Sequence, residues 1–149
     1  STAAGTLGYG GNDWIVMRYA DIILMLAEVE MYLGNNTAAI GYLNQVRERA
    51  RMPSYEEMQN NADYKKKYST LKLAILHERR VELAFENHRW YDLLRFFSPN
   101  ELVQYMHGKN QDDYGISNLL NFGTKDIYYP IPFDEVKLNP EKMYQNPGY

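Results

Sequence analysis

The stretch from Leu76 to Phe97, LHERRVELAFENHRWYDLLRFF, constrains this chain most, because it sets charged residues at helical spacing among apolar ones. Glu78, Glu82 and Glu86 recur every four residues, so in a helix they form one acidic stripe. Like charges at that spacing repel unless cations answer them. Arg79, Arg80 and Arg89 lie close in sequence, and any partner helix facing the stripe can add more. With Val81, Leu83, Ala84 and Phe85 expected in the core, the segment predicts helices whose docking is fixed by charge as well as by apolar contact. Its expected role is structural: an ion network of Glu78, Arg79, Glu82, Glu86 and Arg89, in which Arg79 or Arg89 bridges to the stripe or to Asp21 and Glu28.

A chain of 149 residues suits one domain, and at that size about 68–70% of the unfolded surface is buried on folding. Hydrophobic residues make up 45% and aromatic residues 14%, which places the chain among globular proteins, and 14 tyrosines against two tryptophans point to wet, aromatic-rich surfaces. The formal charge is −3, with basic residues scattered outside Lys65–Lys67 and the trio Arg47, Arg49 and Arg51. No stripe of cations tracks a phosphate backbone, so nucleic acid is not an expected partner. The absence of cysteine excludes disulfides, thiolate metal sites and thiol catalysis within these residues and leaves the compartment open. The longest apolar run, Ile22 to Ala27, is six residues, far short of the roughly 20 that span a bilayer. Ser1 is not an initiator and no leader pattern follows it, so the sequence reads as a processed or truncated chain.

Residues 1 to 13 are glycine-rich and small, an irregular arm ending at Trp14. From Arg18 to Leu33 the apolar positions Tyr19, Ile22, Ile23, Leu26, Ala27 and Leu33 follow helical spacing, and Gly34 with Asn35 supplies the stop. A second helix, capped by Asn36 or Thr37, carries Ala39, Ile40, Leu43, Val46 and Ala50 and ends before Pro53. So short a link forces an antiparallel αα-hairpin of the tetratricopeptide kind, although no 34-residue period recurs. Residues 52 to 70 read as an exposed excursion with some helical turns. A third helix is expected from Thr70 to Glu86, closed by Asn87 in the left-handed conformation, and a fourth from His88 to Phe97, stopped by Pro99. Glu101 to Met106 is a short helix candidate. In IYYPIPF, Ile127 to Phe133, the two prolines forbid a central strand and favour an extended segment lying on the helices. Asp134 to Leu138 is one helical turn, and the tail NPEKMYQNPGY is turn-forming.

Chemistry-bearing motifs are missing. The glutamate stripe lacks the Glu-x-x-His pairs of di-metal bundles. His77-Glu78 opens like a zinc-protease motif, but Val81 stands where the second histidine belongs. No nucleophile elbow or phosphate loop is present. The expectation is a protein without catalytic residues, metal or cofactor.

Five segments in order, RYADIILMLAEVEMYLGN, LNQVRERA, ILHERRVELAFENHRWYDLLRF, YYPIPFDEVKLNP and QNPGY, resemble the C-terminal region of SusD/RagB-like outer-membrane nutrient-binding lipoproteins. The resemblance runs from about Trp14 to Tyr149. Asn87 departs from the glycine common in the family, and residues 52–70 and 98–126 diverge at greater length. The resemblance implies an all-α fold with tetratricopeptide-like hairpins, residues 1–149 forming a single C-terminal domain of a protein about three times longer. It also implies a surface lipoprotein, tethered to the outer membrane through an N-terminal cysteine not present here. Such a protein passes oligosaccharides, or in some branches peptides, to a SusC-like TonB-dependent transporter without transforming them. The rival is a helical interaction module with no small ligand.

For a sugar, the expected contacts are aromatic planes that stack on the C–H face of the ring beside polar groups that bond its hydroxyls. Tyr9 and Trp14, near Asn12 and Asp13, offer that combination, as does Tyr114 beside Gln111, Asp112 and Asp113. The competing reading is that these rings pack against the helices. Trp90 is expected in the core.

Overall fold

A computed structural model describes residues 15–109 and 120–149, and among these every regular element is helical. The described residues fall into two compact units divided between Arg89 and Trp90.

In the first unit, helices α1 (Tyr19–Tyr32) and α2 (Asn36–Arg49) form the expected antiparallel hairpin. The turn between them follows from Gly34, whose φ of +83° lets the Gly34 N–H reach the Met31 carbonyl while the Asn35 N–H reaches that of Glu30. This paired closure is the Schellman motif. Helix α2 closes in the same way with Arg51 at φ +56°, a residue that accepts the left-handed conformation without being glycine. The core of the unit is Ile23, Leu24 and Ala27 from α1, Ala39, Leu43 and Val46 from α2, and Ala74, Ile75 and Leu76 from α5 (Leu71–Glu82).

Between α2 and α5 lie two short helices, α3 (Tyr55–Met58) and α4 (Ala62–Lys67). Ser54 caps α3 in a reciprocal bond pair with Glu57, and Asn61 caps α4 by accepting from the Tyr64 N–H. This excursion is less solvated than its polarity predicts. Tyr64 is buried, 4.9 Å from the Tyr68 ring, and Tyr68 in turn stacks on His77 of α5 at 4.0 Å. A tyrosine in a lysine-rich run gives no periodic signal, so its burial was not readable.

Helix α5 stops at Glu82, four residues before the expected end. Arg18 takes up the Glu82 main-chain carbonyl through Nη2, which removes an acceptor that a continuing helix would use. The chain then turns through Phe85 and Asn87, at φ +67° and +63°. Of the four apolar residues expected in the core here, Leu83 is buried, whereas Val81, Ala84 and Phe85 are exposed.

In the second unit, Leu93 and Phe96 of α6 (Arg89–Phe96), Leu102 of α7 (Pro99–His107) and Ile127 make a small core. Pro99 opens α7 at its first helical position, where a missing N–H costs nothing, and the Glu101 carboxylate accepts from Ser98 N–H and Oγ. Trp90 is half-buried, edge-on to Phe122 at 6.3 Å. A 3₁₀ turn at Thr124–Ile127 precedes the proline segment, and α8 (Phe133–Leu138) follows it. Only Ile127 of that segment is buried. Beyond Ile127, the segment is held from the tail: the Gln145 side chain accepts from Ile131 N–H at 2.7 Å and donates to Ile131 O at 2.8 Å, and Asn146 donates to Tyr129 O.

Candidate functional site

The acidic stripe of α5 is answered by arginines from the hairpin. Glu78, at the buried end, accepts from Arg47 Nη1 of α2 at 2.6 Å, and Arg47 also donates through Nε to the Pro53 carbonyl at 2.8 Å. Glu82 accepts from Arg49 Nη2 of α2 at 2.5 Å and from Arg18 Nη1, just before α1. Glu86, beyond the helix end, accepts from Arg18 Nε at 2.9 Å. Arg79 points to the other side, its Nη2 2.8 Å from Asp21 Oδ1 of α1 in an ionic contact without hydrogen-bond alignment. Arg89 Nη1 donates to the Leu76 carbonyl at 3.2 Å.

Burial grades these pairs. Arg47 and Glu78, like Arg79 and Asp21, are withdrawn from water on both sides, whereas the Arg49 side chain is 62% exposed. Burial pushes the Glu78 carboxyl above the ordinary carboxylate range, with nearby Glu82 adding to the rise and Arg47 opposing it. Arg18 is held more firmly protonated than a free arginine, chiefly by its bond to Glu86 and against its own partial burial. Sequence reasoning placed the carboxylates and named Asp21 among the targets of Arg79. It did not identify Arg18, Arg47 and Arg49 as the cations on the stripe. The available signal was their position on the hairpin that α5 must cover, since Arg47 follows Leu43 and Val46 along the same buried face.

Chemically, this arrangement locks helices together. Among the described residues no group of three or more histidines or carboxylates is placed to hold a metal ion. A cleft of about 340 Å³ opens beside the network, lined by Tyr19, Ile23 and Val46 together with Arg18 and Arg49, whose guanidinium groups are both engaged by Glu82. The candidate ligand residues Tyr9, Trp14 and Tyr114 lie outside the described residues. In the second unit the proline segment and tail present a set of exposed aromatic rings, Tyr128, Tyr129, Phe133 and Tyr144. No helix among the described residues is long and apolar enough to cross a membrane.

Comparison with known proteins agrees with this helical scaffold. A model of the SusD family matches residues 2–149. The chain is 36% identical to SusD-like protein P2 of Formosa agariphila, over 98% of its own length and 28% of that protein's. It is 36% identical to SusD-like protein P25 of the same organism, over 93% of its length and 25% of the relative's. A SusD-like protein of Bacteroides ovatus is 32% identical over 84% of this chain and 28% of its own. The chain thus spans about a quarter of the length of these relatives. No solved structure matches it. With its ordered segments, its all-α hairpin scaffold and a family match over nearly its whole length, the chain belongs to the SusD family.

Proposed function

We propose that this chain is the C-terminal part of a non-enzymatic nutrient-binding lipoprotein at the outer-membrane surface, which takes up oligosaccharide and delivers it to a SusC-like TonB-dependent transporter. The observation that carries this reading is the family match across residues 2–149 on an arginine-braced helical scaffold. A scaffold whose charges are spent on each other suits a rigid holder better than a catalyst, because a catalyst needs titratable groups aimed at a substrate. The lipid anchor belongs to a cysteine outside this sequence. Sugar stacking falls to Tyr9, Trp14 and Tyr114, whose rings supply the apolar planes that hexose faces require.

The test is a binding panel of oligosaccharides and peptides on the full-length protein, beside a variant carrying Tyr9→Ala, Trp14→Ala and Tyr114→Ala. Retained fold with at least about tenfold weaker glycan binding, equivalent to 1.4 kcal/mol, is the expected result. Binding of peptides but no glycan would move the protein to a peptide-binding branch, and unchanged glycan affinity would remove the three aromatics from the site. Co-isolation of a β-barrel transporter tests the delivery step separately.

A further inference from the structure

The cleft beside the ion network brings together an aromatic residue, an apolar floor and polar groups that the fold leaves unused. Ile23 and Val46 are buried and form the floor, and Tyr19, 75% exposed, stands at the rim. The volume of about 340 Å³ lies at the small end of ligand sites, which run from about 300 to 1,000 Å³. Arg18 is fully spent, with Nε on Glu86, Nη1 on the Glu82 carboxylate and Nη2 on the Glu82 carbonyl. Arg49 is engaged only through Nη2, by Glu82, so among the described residues its Nε and Nη1 have no acceptor. Within the same limits the Gln45 carboxamide and the Tyr19 hydroxyl, both on exposed residues lining the cleft, have no partner either.

We infer that this cleft binds one uncharged pyranose ring of an oligosaccharide, a sugar site built on Tyr19, Gln45 and Arg49 in addition to the one assigned to Tyr9, Trp14 and Tyr114. That the ligand is a sugar rests on the proposed function; the place, size and charge of the site rest on the geometry of the hairpin. Two guanidinium groups, Arg18 and Arg49, already face two carboxylates, Glu82 and Glu86, so the network beside the cleft is balanced. A ligand carboxylate would have to take Arg49 from Glu82. Hydroxyl groups need no such exchange: they accept from Arg49 Nε and Nη1 and can donate to or accept from the Gln45 carboxamide. The C–H face of the ring then lies against Tyr19 and the floor of Ile23 and Val46, as an aromatic and aliphatic surface requires. A cleft this small takes a single ring and leaves the rest of the sugar chain in solvent.

The test uses the full-length protein with isotope-labelled isoleucine and valine methyl groups, titrated by NMR with methyl glucopyranoside, methyl galactopyranoside and methyl mannopyranoside, and with methyl glucuronide as the charged counterpart. A ligand of this size is expected to bind with a dissociation constant of about 1 mM, read as saturable shifts of the Ile23 and Val46 methyl signals with at least one neutral glycoside. Tyr19→Ala is expected to weaken that binding about tenfold and Gln45→Ala about fivefold. Both side chains are exposed, so both variants keep the fold. Absence of saturable shifts with all three neutral glycosides overturns the inference. So does binding that Tyr19→Ala leaves intact, or tighter binding of the glucuronide. Oligosaccharide binding in the panel above with Ile23 and Val46 silent would sink this site and leave the proposed function standing. Shifts at Ile23 and Val46, with glycan affinity unchanged in the Tyr9, Trp14 and Tyr114 variant, would instead remove those three aromatics and keep this site.

Discussion

Arg47→Met isolates one buried charge of the scaffold. The substitution keeps most of the aliphatic stem and removes two bonds, Nη1 to Glu78 at 2.6 Å and Nε to the Pro53 carbonyl at 2.8 Å. Both side chains of the ion pair are more than nine-tenths buried. Removing one partner of such a pair costs about 3–5 kcal/mol, and orphaning a buried carbonyl costs about 1–3 kcal/mol. The two costs share one site and do not add fully, and Glu78 sheds part of its burden by taking a proton. The expected loss is about 4 kcal/mol, which at an m value of about 2 kcal/mol/M lowers the urea midpoint by about 2 M. Arg49→Met is the internal control: its side chain is 62% exposed and Glu82 keeps Arg18, so the loss stays at or below about 1 kcal/mol. The double variant Arg47→Met, Glu78→Leu replaces the pair by apolar volume and is expected to recover most of the stability. If Arg47→Met falls within 1 kcal/mol of the parent, or if the double variant is no better than the single one, the grading of these ion pairs by burial is wrong.

Arg79→Ala, which strands the buried Asp21 carboxylate, is expected to cost about 3–5 kcal/mol in the same urea titration. Glu78→Gln tests the electrostatics by pH. The folded carboxyl titrates above its unfolded value of 4.5, so the folded parent binds its proton more tightly; its stability relative to Glu78→Gln rises as pH falls through the folded value and levels off below 4.5. A stability difference that is flat between pH 7 and 4 would contradict that sign. Phe85→Gly relieves a left-handed backbone beneath a fully exposed ring. The strain is about 1–2 kcal/mol, and the extra freedom of unfolded glycine returns about 0.4–1 kcal/mol, leaving a net gain of about 0.5–1 kcal/mol by thermal unfolding.

The sequence was legible where local chemistry decides. Gly34 closes α1, Pro99 opens α7, and the periods of α1 and α2 reproduce the hairpin, because each depends on a residue and its near neighbours. The end of α5 depends on Arg18, 64 positions away from Glu82, and no local pattern reveals that a distant guanidinium will claim a helix's last carbonyl. The same reason hides the burial of Tyr64, which needs Tyr68 and the His77 of another helix. Val81 and Phe85 are apolar yet exposed, so apolar character alone does not mark burial here. Exposure depends on which face of α5 meets the hairpin, and the arginines of that hairpin fix the face. The stripe of glutamates was visible in the sequence, and its cations were not, since pairing across helices follows packing rather than spacing.

Gln145 occupies an unusual position in this chain. Pro130 and Pro132 leave Ile131 with the only main-chain N–H among those three residues, and one carboxamide satisfies both that donor and the Ile131 carbonyl. A side chain thereby stands in for a neighbouring strand. Its hold depends on having one oxygen and one NH₂ group, so deamidation to glutamate would set a second oxygen against the Ile131 carbonyl and introduce a charge where a donor stood. Chemical ageing of the single amide at position 145 is therefore enough to loosen the proline segment.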